Sequence, residues 1–328
     1  MRRRDLLLTA VAVPWLSAPV MAQAPERVWR VGVLTPSQSG ESTIRQFTLP
    51  ELAKLGFQEG RNLAYQVFSA DDVPERLPAL AIELVATKPD VIIAVGPSSI
   101  RAAHRATSTI PIVMSFGGED PVAAGWAQSY AHPGKNVTGV VMLSPELDGK
   151  RFHVLHEAFP TQRRVAVLFH TLAKNVPDDR FIRHVQAAAR SSGVELLIFY
   201  ATGSADYESV FAAISAAHPD ALQIGSSTVF TNDAAHLAEL AVQAKLPTVC
   251  DWPDSARKGC LLGYGPNRVD LRRRTADFVA RILRGTPAGE LPIEDPTTFE
   301  LVVNLKTAKA LGIDLPSSLL AQADEVIE

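Results

Sequence analysis

Seven short segments of this chain combine small hydroxyl side chains and glycines with a few acidic and aromatic residues. They are 35–40, 96–99, 115–120, Ser144, 170–175, 225–228 and 251–254. Backbone N–H groups in such segments, together with the positive ends of the helices that follow them, can bind a carboxylate. The carboxylates of Glu119, Asp120 or Asp251 can in turn bind an ammonium group. The chemistry that these residue types favour is therefore the non-covalent binding of a small molecule.

Aromatic side chains near the same segments can supply an apolar wall, and they are Phe116, Phe230, Trp252 and Tyr264. We predict a ligand-binding site that consists of Ser37, Gln38, Ser39, Gly96, Pro97, Ser98, Ser99, Phe116, Gly117, Glu119, Asp120, Ser144, His170, Asn175, Ser226, Ser227, Thr228, Asp251, Trp252 and Tyr264.

Several of these residues also have a purely structural interpretation. Asp120 precedes Pro121, which is the order of a helix N-cap followed by proline at the first helical position. Ser98 and Ser99 can cap a helix that begins near Ile100, and capping is compatible with ligand contact. Both interpretations stay open for these residues.

Three further candidates have alternatives of the same kind. His170 can be a polar residue at the end of a strand, since a histidine base needs a partner. Trp252 can cover a hydrophobic core. Tyr264, between two glycines, can mark a place where the chain crosses from one structural unit of the protein to another.

Known catalytic motifs are absent from the sequence. There is no Gly-x-Ser-x-Gly elbow, no Gly-x-x-x-x-Gly-Lys-Ser/Thr phosphate loop and no His-Glu-x-x-His helix. The segment 95–97 lacks the remaining glycines of a dinucleotide fingerprint, so no cofactor is predicted. We expect no enzymatic activity. The alternative, a hydrolase with Asp251 or His170 as the base, lacks a nucleophile or a metal.

Cys250 and Cys260 are the only cysteines. Two thiols in an oxidising compartment can form a disulfide, but their spacing also fits free thiols on neighbouring buried strands. No histidine lies at ligand spacing from either cysteine, so no metal site is predicted.

Continuous apolar runs alternate with helical patterns from residue 30 onward, as in parallel strands that are buried on both faces. The first series of predicted strands comprises 31–34, 63–68, 91–95, 110–114 and 136–142, and the second comprises 165–169, 195–199, 221–224 and 248–250. Helical patterns at 180–190, 207–217 and 234–244 separate the strands of the second series. Two βαβ series predict an α/β protein with two doubly wound lobes, in which ligands bind beyond the carboxyl ends of the strands.

The C-terminal part returns to both lobes. An amphipathic helix at 271–283 ends before Gly285, and one more strand follows at 299–303. We therefore predict that lobe 1 comprises residues 27–142 plus 265–288 and that lobe 2 comprises residues 143–264 plus 289–328.

Residues 1–22 have the pattern of an export signal. Arg2, Arg3 and Arg4 precede an uncharged run at 6–20, and small residues near Ala22 suit cleavage by a signal peptidase. The run is short for a membrane span. The paired arginines fit twin-arginine export, and ordinary secretory signals look much the same, so both routes stay open. We expect a periplasmic protein that begins near residue 23.

The charge of the chain argues against nucleic acid as a partner. Loss of residues 1–22 removes three arginines and one aspartate, which changes the formal net charge from −3 to −5. The one dense basic patch, Arg272-Arg273-Arg274, falls in a helical pattern and is interpreted as a solvated face.

Five motifs, in this order, resemble the ABC transporter substrate-binding proteins of the tryptophan/tyrosine-binding type. They are GFQEGRN at 56–62, STIPIV at 108–113, EDPV at 119–122, PGKNVTGV at 133–140 and FELVVNLKTAKALG at 299–312. The resemblance covers the chain from about residue 30 to the end. It implies a type I periplasmic binding fold, in which two Rossmann-like lobes are joined by a three-crossing hinge and clamp a small molecule.

The resemblance also implies binding loops at 37–39, 96–99, 116–120, 170–175, 226–228 and 251–252. Two stretches depart from family members that bind amino acids: 169–171 reads Phe-His-Thr where those members have Tyr-Asn-Pro, and 118–121 reads Gly-Glu-Asp-Pro where they have Thr-Asp-Pro. The resemblance therefore leaves the ligand unidentified, with amino-acid-like molecules among the candidates. The implied function is the capture of a small organic molecule by a monomer and its delivery to an ABC permease in the inner membrane. A ligand sensor that acts on a receptor is the alternative.

Overall fold

The computed structural model describes residues 27–71, 73–142, 144–171 and 179–328, and for residues 39, 144–146, 179–181 and 228 it describes the backbone only. The predicted export signal at 1–22 and the candidate Asn175 lie outside the described residues. Within the described ranges, no helix has both the length and the apolar character needed to cross a membrane.

The first sheet has five parallel strands in the order β2-β1-β3-β4-β5. Its strands are β1 (Trp29–Thr35), β2 (Leu63–Ser69), β3 (Val91–Val95), β4 (Ile112–Gly117) and β5 (Val137–Val141). Its helices are α1 (Gln38–Thr43), α2 (Leu49–Lys54), α3 (Leu77–Ala86) and α4 (Gly96–Ala106), with a π-helical turn at Ile44–Thr48 and a 3-10 turn at Pro74–Arg76.

The central strands of this sheet are mostly apolar, and β3 is apolar at every position, because both faces of the sheet are covered. Val33 and Ile93 pack into one hydrophobic cluster, whereas their neighbours Leu34 and Ile92 pack into another. Successive side chains of a strand point to opposite faces, so continuous apolar runs are what this arrangement requires.

The second sheet has seven strands in the order β12-β11-β10-β9-β8-β6-β7, and only the β10–β11 pair is antiparallel. Its strands are β6 (Arg164–His170), β7 (Glu195–Ala201), β8 (Ala221–Ile224), β9 (Thr248–Cys250), β10 (Leu262–Pro266), β11 (Phe299–Asn304) and β12 (Glu325–Ile327). Its helices are α5 (Ser144–Ala158), α6 (Asp179–Ser192), α7 (Tyr207–Ala216), α8 (Thr228–Asn232), α9 (Ala234–Gln243), α10 (Pro253–Arg257), α12 (Leu305–Leu311) and α13 (Ser317–Gln322). Between α10 and α12 the chain leaves this sheet and returns to it.

The chain crosses between the two sheets three times. The first crossing follows β5, and the second follows β10, where α11 (Arg268–Leu283) returns to pack on the first sheet. The third lies between α11 and β11, and it includes a 3-10 turn at Ala288–Glu290. Asn267 begins α11, and its side-chain oxygen accepts a hydrogen bond from the backbone N–H of Asp270.

The predicted strands and the three helices of the second series are confirmed, with ends that differ by a few residues. β10 and β12 were not predicted. In β10, Gly263 and Gly265 interrupt the apolar pattern, and both are needed for close packing. A Cβ atom would lie 2.4 Å from the carbonyl oxygen of Trp252 at Gly263 and 2.4 Å from that of Asp251 at Gly265.

Two local predictions are wrong. The segment after Asp120 forms a turn instead of a helix, and the Asp120 carboxylate accepts hydrogen bonds from the N–H groups of Val122 and Ala123 at 2.9 and 3.2 Å. Arg272 is buried rather than solvated, because it lies on the side of α11 that faces the first sheet. For the cysteines, which had two open alternatives, the structure joins Cys250 and Cys260 in a disulfide.

Candidate functional site

A cavity of about 170 Å³ lies at the carboxyl ends of strands from both sheets. Its walls consist of Pro36, Ser37, Gly40, Val95, Gly96, Pro97, Phe116, Gly118, Met142, Ser226, Ser227, Thr231, Asn232, Asp251, Trp252, Arg268 and Arg272. Pockets for drug-sized molecules usually measure roughly 300–1,000 Å³, so this cavity suits one small solute. We call it the cleft.

Eight of the predicted binding residues lie in the wall of the cleft, and they are Ser37, Gly96, Pro97, Phe116, Ser226, Ser227, Asp251 and Trp252. Each follows or ends a parallel strand, which is where an open sheet presents its ligand-binding loops. Gly96 adopts a φ of 75°, which allows β3 to pass directly into α4.

Other candidates on the first sheet have partners away from the cleft. Glu119 forms an ion pair with Arg101, and Ser98 lines a separate surface groove beside that arginine. Ser99 is buried in α4. The carbonyl of Gly117 accepts a hydrogen bond from the N–H of Met142 at 2.6 Å. Asp120 stabilises the turn described above, and Gln38 is exposed at the start of α1.

Candidates on the second sheet also lie apart from the cleft. The His170 ring packs edge-on against Phe230 at 5.6 Å, and burial lowers the pKa of this histidine. Tyr264 stacks on Phe299 at 6.1 Å, next to the crossing that the sequence indicated. For Ser39, Ser144 and Thr228 only the backbone is described.

Phe116 and Trp252 form the apolar part of the wall. Their rings are 5.8 Å apart and nearly perpendicular, which is a favoured geometry for an aromatic pair. Phe116 has a φ of 64°, in the left-handed region that bulky residues rarely adopt, and the pairing of β4 with β5 shifts register between Met114 and Gly117. The Phe116 ring lies in the wall of the cleft at this irregularity.

Arg151, on α5, holds three segments of the second sheet together, although sequence reasoning did not select it. Its guanidinium donates to the Asp148 carboxylate at 2.7 Å, to the Ser226 hydroxyl at 2.8 Å and to the carbonyls of Tyr264 and Asp251 at 2.9 and 2.7 Å. Arg151 and Asp148 are both fully buried. Burial raises the pKa of Asp148 even though Arg151 acts in the opposite direction. The pair fixes the loops that carry Ser226 and Asp251.

Asp251 is a buried carboxylate at the wall of the cleft, and its residue is only 2% exposed. It accepts hydrogen bonds from the hydroxyls of Thr231 at 3.1 Å and Ser255 at 3.5 Å. Burial raises the pKa of Asp251 to about 6, against the opposing effects of Arg151 and Thr231. A cationic ligand group would relieve this cost.

Arg272 and Arg268 bring positive charge to the cleft from α11, and neither was predicted. The Arg272 guanidinium donates to the hydroxyls of Ser115 and Thr43, both at 2.8 Å, and lies 4.2 Å from the centre of the Phe116 ring. Arg268 donates to Asp254 at 3.1 Å and lies 4.9 Å from the Trp252 ring. Burial, and then the charge of Arg268, lower the pKa of Arg272 well below its ordinary value.

The cleft thus combines one carboxylate, two guanidinium groups, several hydroxyls and an aromatic pair. In the part of the chain that the structure describes, no three His, Cys, Asp or Glu side chains come together in a way that could hold a metal ion. The arrangement is suited to holding a small polar molecule by hydrogen bonds and ion pairs.

The sequence profile of the family described as "ABC transporter substrate binding protein" matches residues 33–327. A tyrosine-binding protein of Clostridioides difficile is 23% identical over 259 residues, which are 79% of this chain and 73% of that protein. A conserved domain protein of Vibrio cholerae, solved as a crystal structure, is 28% identical with a TM-score of 0.83 and covers 92% of this chain and 100% of its own.

An ABC domain from Streptococcus pneumonia in complex with L-Trp has a TM-score of 0.81 at 20% identity and covers the same shares of the two chains. These structural similarities confirm the type I periplasmic binding fold, with its two α/β sheets. The chain belongs to the family of ABC transporter substrate-binding proteins.

Proposed function

We propose that this protein is exported to the periplasm, where it captures a small organic solute in the cleft and delivers it to an ABC permease of the inner membrane. The observation that carries the proposal is the cleft itself, because loops from both sheets meet there around two buried charges of opposite sign, Asp251 and Arg272. Such charges are costly unless a partner compensates them, and a ligand is a suitable partner.

The proposed mechanism is closure of two lobes about the three crossings. We propose lobes close to those that the sequence predicts, 27–142 plus 265–288 and 143–264 plus 289–328. Their boundaries need small shifts, because β10 extends to Pro266 in the second sheet and Leu291 and Ile293 pack on the first sheet. Hinge closure around a ligand is a known mode of motion in binding proteins of this architecture. Closure buries the solute, which strengthens its hydrogen bonds. The closed monomer would then present the surface that the permease binds.

The proposed ligand class includes amino-acid-like molecules. Two relatives support this class, since one is named for tyrosine binding and another was solved with L-Trp. In this chain the Asp251 carboxylate would bind the ammonium group, and the rings of Phe116 and Trp252 would contact the apolar part.

Ligand capture can be tested without knowing the ligand. The mature protein is purified natively, and any small molecule that co-purifies is identified by mass spectrometry. The emptied protein is then titrated with that molecule by calorimetry, and X-ray scattering measures its radius of gyration. We expect submillimolar binding with a smaller radius. A protein that a whole metabolite extract neither compacts nor stabilises would contradict solute capture.

The role of Asp251 is tested by Asp251→Asn at pH 7.5, with the surface variant Asp277→Asn as the control. We expect Asp251→Asn to weaken binding of an ammonium-bearing ligand by about 1–3 kcal/mol, because a charge-assisted hydrogen bond is lost. Equal affinities in the two variants would contradict the contact.

N-terminal sequencing of the exported protein tests the cleavage site near Ala22.

A further inference from the structure

Arg272 is a buried cation without a carboxylate partner among the described residues. The residue is 1% exposed, and its contacts are the neutral hydroxyls of Ser115 and Thr43 and the ring of Phe116. Arg151, which is also fully buried, has the carboxylate of Asp148 at 2.7 Å. The fold therefore neutralises one buried arginine and leaves the other uncompensated.

The hydrogen-bonding capacity of Arg272 is also incompletely used. A guanidinium has five N–H donors in one plane, and two of them are engaged by the two hydroxyls. The Nε–H group is buried and has no hydrogen-bond partner within the described ranges. An unpaired buried donor on a charged group is costly, so this arrangement indicates a missing planar acceptor.

The surroundings of Arg272 define what that acceptor is. Phe116 covers one face of the guanidinium, which leaves its edge for an in-plane contact of the kind that a carboxylate makes. A doubly charged anion is disfavoured, because the Asp251 carboxylate lines the same cleft. The neighbouring Trp252 ring extends the apolar surface beyond Phe116.

We propose that Arg272 binds the carboxylate of the solute, and that the cleft selects small organic acids whose apolar or aromatic body lies against Phe116 and Trp252. The inference rests on the proposed function and narrows its substrate class. It makes Arg272 a specificity-determining residue that the loop pattern of the sequence does not reveal.

The test compares acids with their uncharged amides. Phenylacetate, 3-phenylpropionate and L-phenylalanine are titrated by calorimetry at pH 7.5, each beside its primary amide, against the wild-type protein, Arg272→Gln and Arg272→Lys. Arg273→Gln is the matched control, since Arg273 lies next to Arg272 on α11 and its side chain is 55% exposed. Circular dichroism and thermal melting show whether each variant is folded.

We expect the wild-type protein and Arg273→Gln to bind at least one acid about 30-fold or more tightly than its amide. The amide lacks the carboxylate, and loss of one partner of a buried ion pair typically costs this much affinity. Arg272→Gln should lose this preference, while Arg272→Lys, which keeps the charge without the planar fork, should retain part of it. The preferred acid should also raise the melting temperature of the wild-type protein.

Three results would overturn the inference: no acid of the panel binds, acid and amide bind equally, or folded Arg272→Gln retains the preference. Failure of the proposed function gives a different outcome, because then no component of a metabolite extract would stabilise the wild-type protein. An extract that stabilises it through an uncharged solute would contradict the role of Arg272 and leave solute capture intact.

Discussion

Asp251→Asn should make the stability of the ligand-free protein less dependent on pH. Asparagine has almost the same shape as aspartate, and it removes a carboxylate whose pKa burial raises from 3.8 to about 6. The substitution therefore tests the electrostatic cost of this position separately from its packing.

The sign and size of the effect follow from the pKa of Asp251 in the folded protein and its pKa in the unfolded chain. Between about pH 4 and pH 6 the folded protein holds a proton that the unfolded chain has released, so the free energy of unfolding falls as pH rises through this window. Above pH 6 both states are ionised and the cost is constant. A difference of about 2 pKa units corresponds to about 3 kcal/mol.

Urea unfolding, followed by tryptophan fluorescence at steps from pH 4.5 to pH 8, measures the free energy of unfolding of both proteins at each pH. We expect the stability gap between Asp251→Asn and wild type to widen by up to about 3 kcal/mol in favour of the variant as pH rises to 7. Asp148 also has a raised pKa and contributes to that of Asp251, but its own burial is the same in both proteins. Stability curves that stay parallel from pH 4.5 to pH 8 would refute the reasoning.

Two further changes should lower stability in ways that the structure explains. Arg151→Met should reduce the free energy of unfolding by about 3–5 kcal/mol, because Asp148 is left as an unpaired buried charge. A second change, Asp148→Leu, should restore part of this loss in urea titrations, since it removes the charge but not the need of Ser226, Tyr264 and Asp251 for a donor. Replacing Cys250 and Cys260 by alanine should cost about 2–3 kcal/mol, since the short loop that they close becomes free in the unfolded chain. Melting curves that do not differ between the alanine variant and the oxidised protein would contradict the second expectation.

The architecture could be predicted from sequence because a central strand that is buried on both faces has a continuous apolar run. The run at 91–95 is apolar at every position, and it forms β3 with the same ends. β10 could not be predicted in the same way. Gly263 and Gly265 are required because the backbone at Asp251 and Trp252 lies too close for a side chain. This contact involves residues outside β10, so the local sequence around β10 does not indicate it.

The candidate site was only partly predictable, because sequence reasoning considered the loops after strands and not the helices beside them. Asp148 and Arg151 are in phase with Leu147, Phe152 and Leu155 on the buried side of α5. Charged residues within an apolar stripe are a signal that could have identified them. Arg272 has the same signal, since Ala276, Val279 and Leu283 continue its stripe on α11.

Asp251 and Arg272 are the two buried charges of the cleft that have no ion-pair partner within the described ranges, and they belong to different halves of the molecule. Arg272 is attached to the first sheet through Ser115 on β4, whereas Asp251 directly follows β9 of the second sheet. Without a ligand, the arrangement described here buries both charges at a cost, and on the proposed function an opening of the cleft would return them to water. A solute with a carboxylate and an ammonium group would compensate both at once and connect the two sheets. On the proposed function, closure is then favourable only when the solute is present, so the same two side chains would determine both which solute is bound and when the cleft closes.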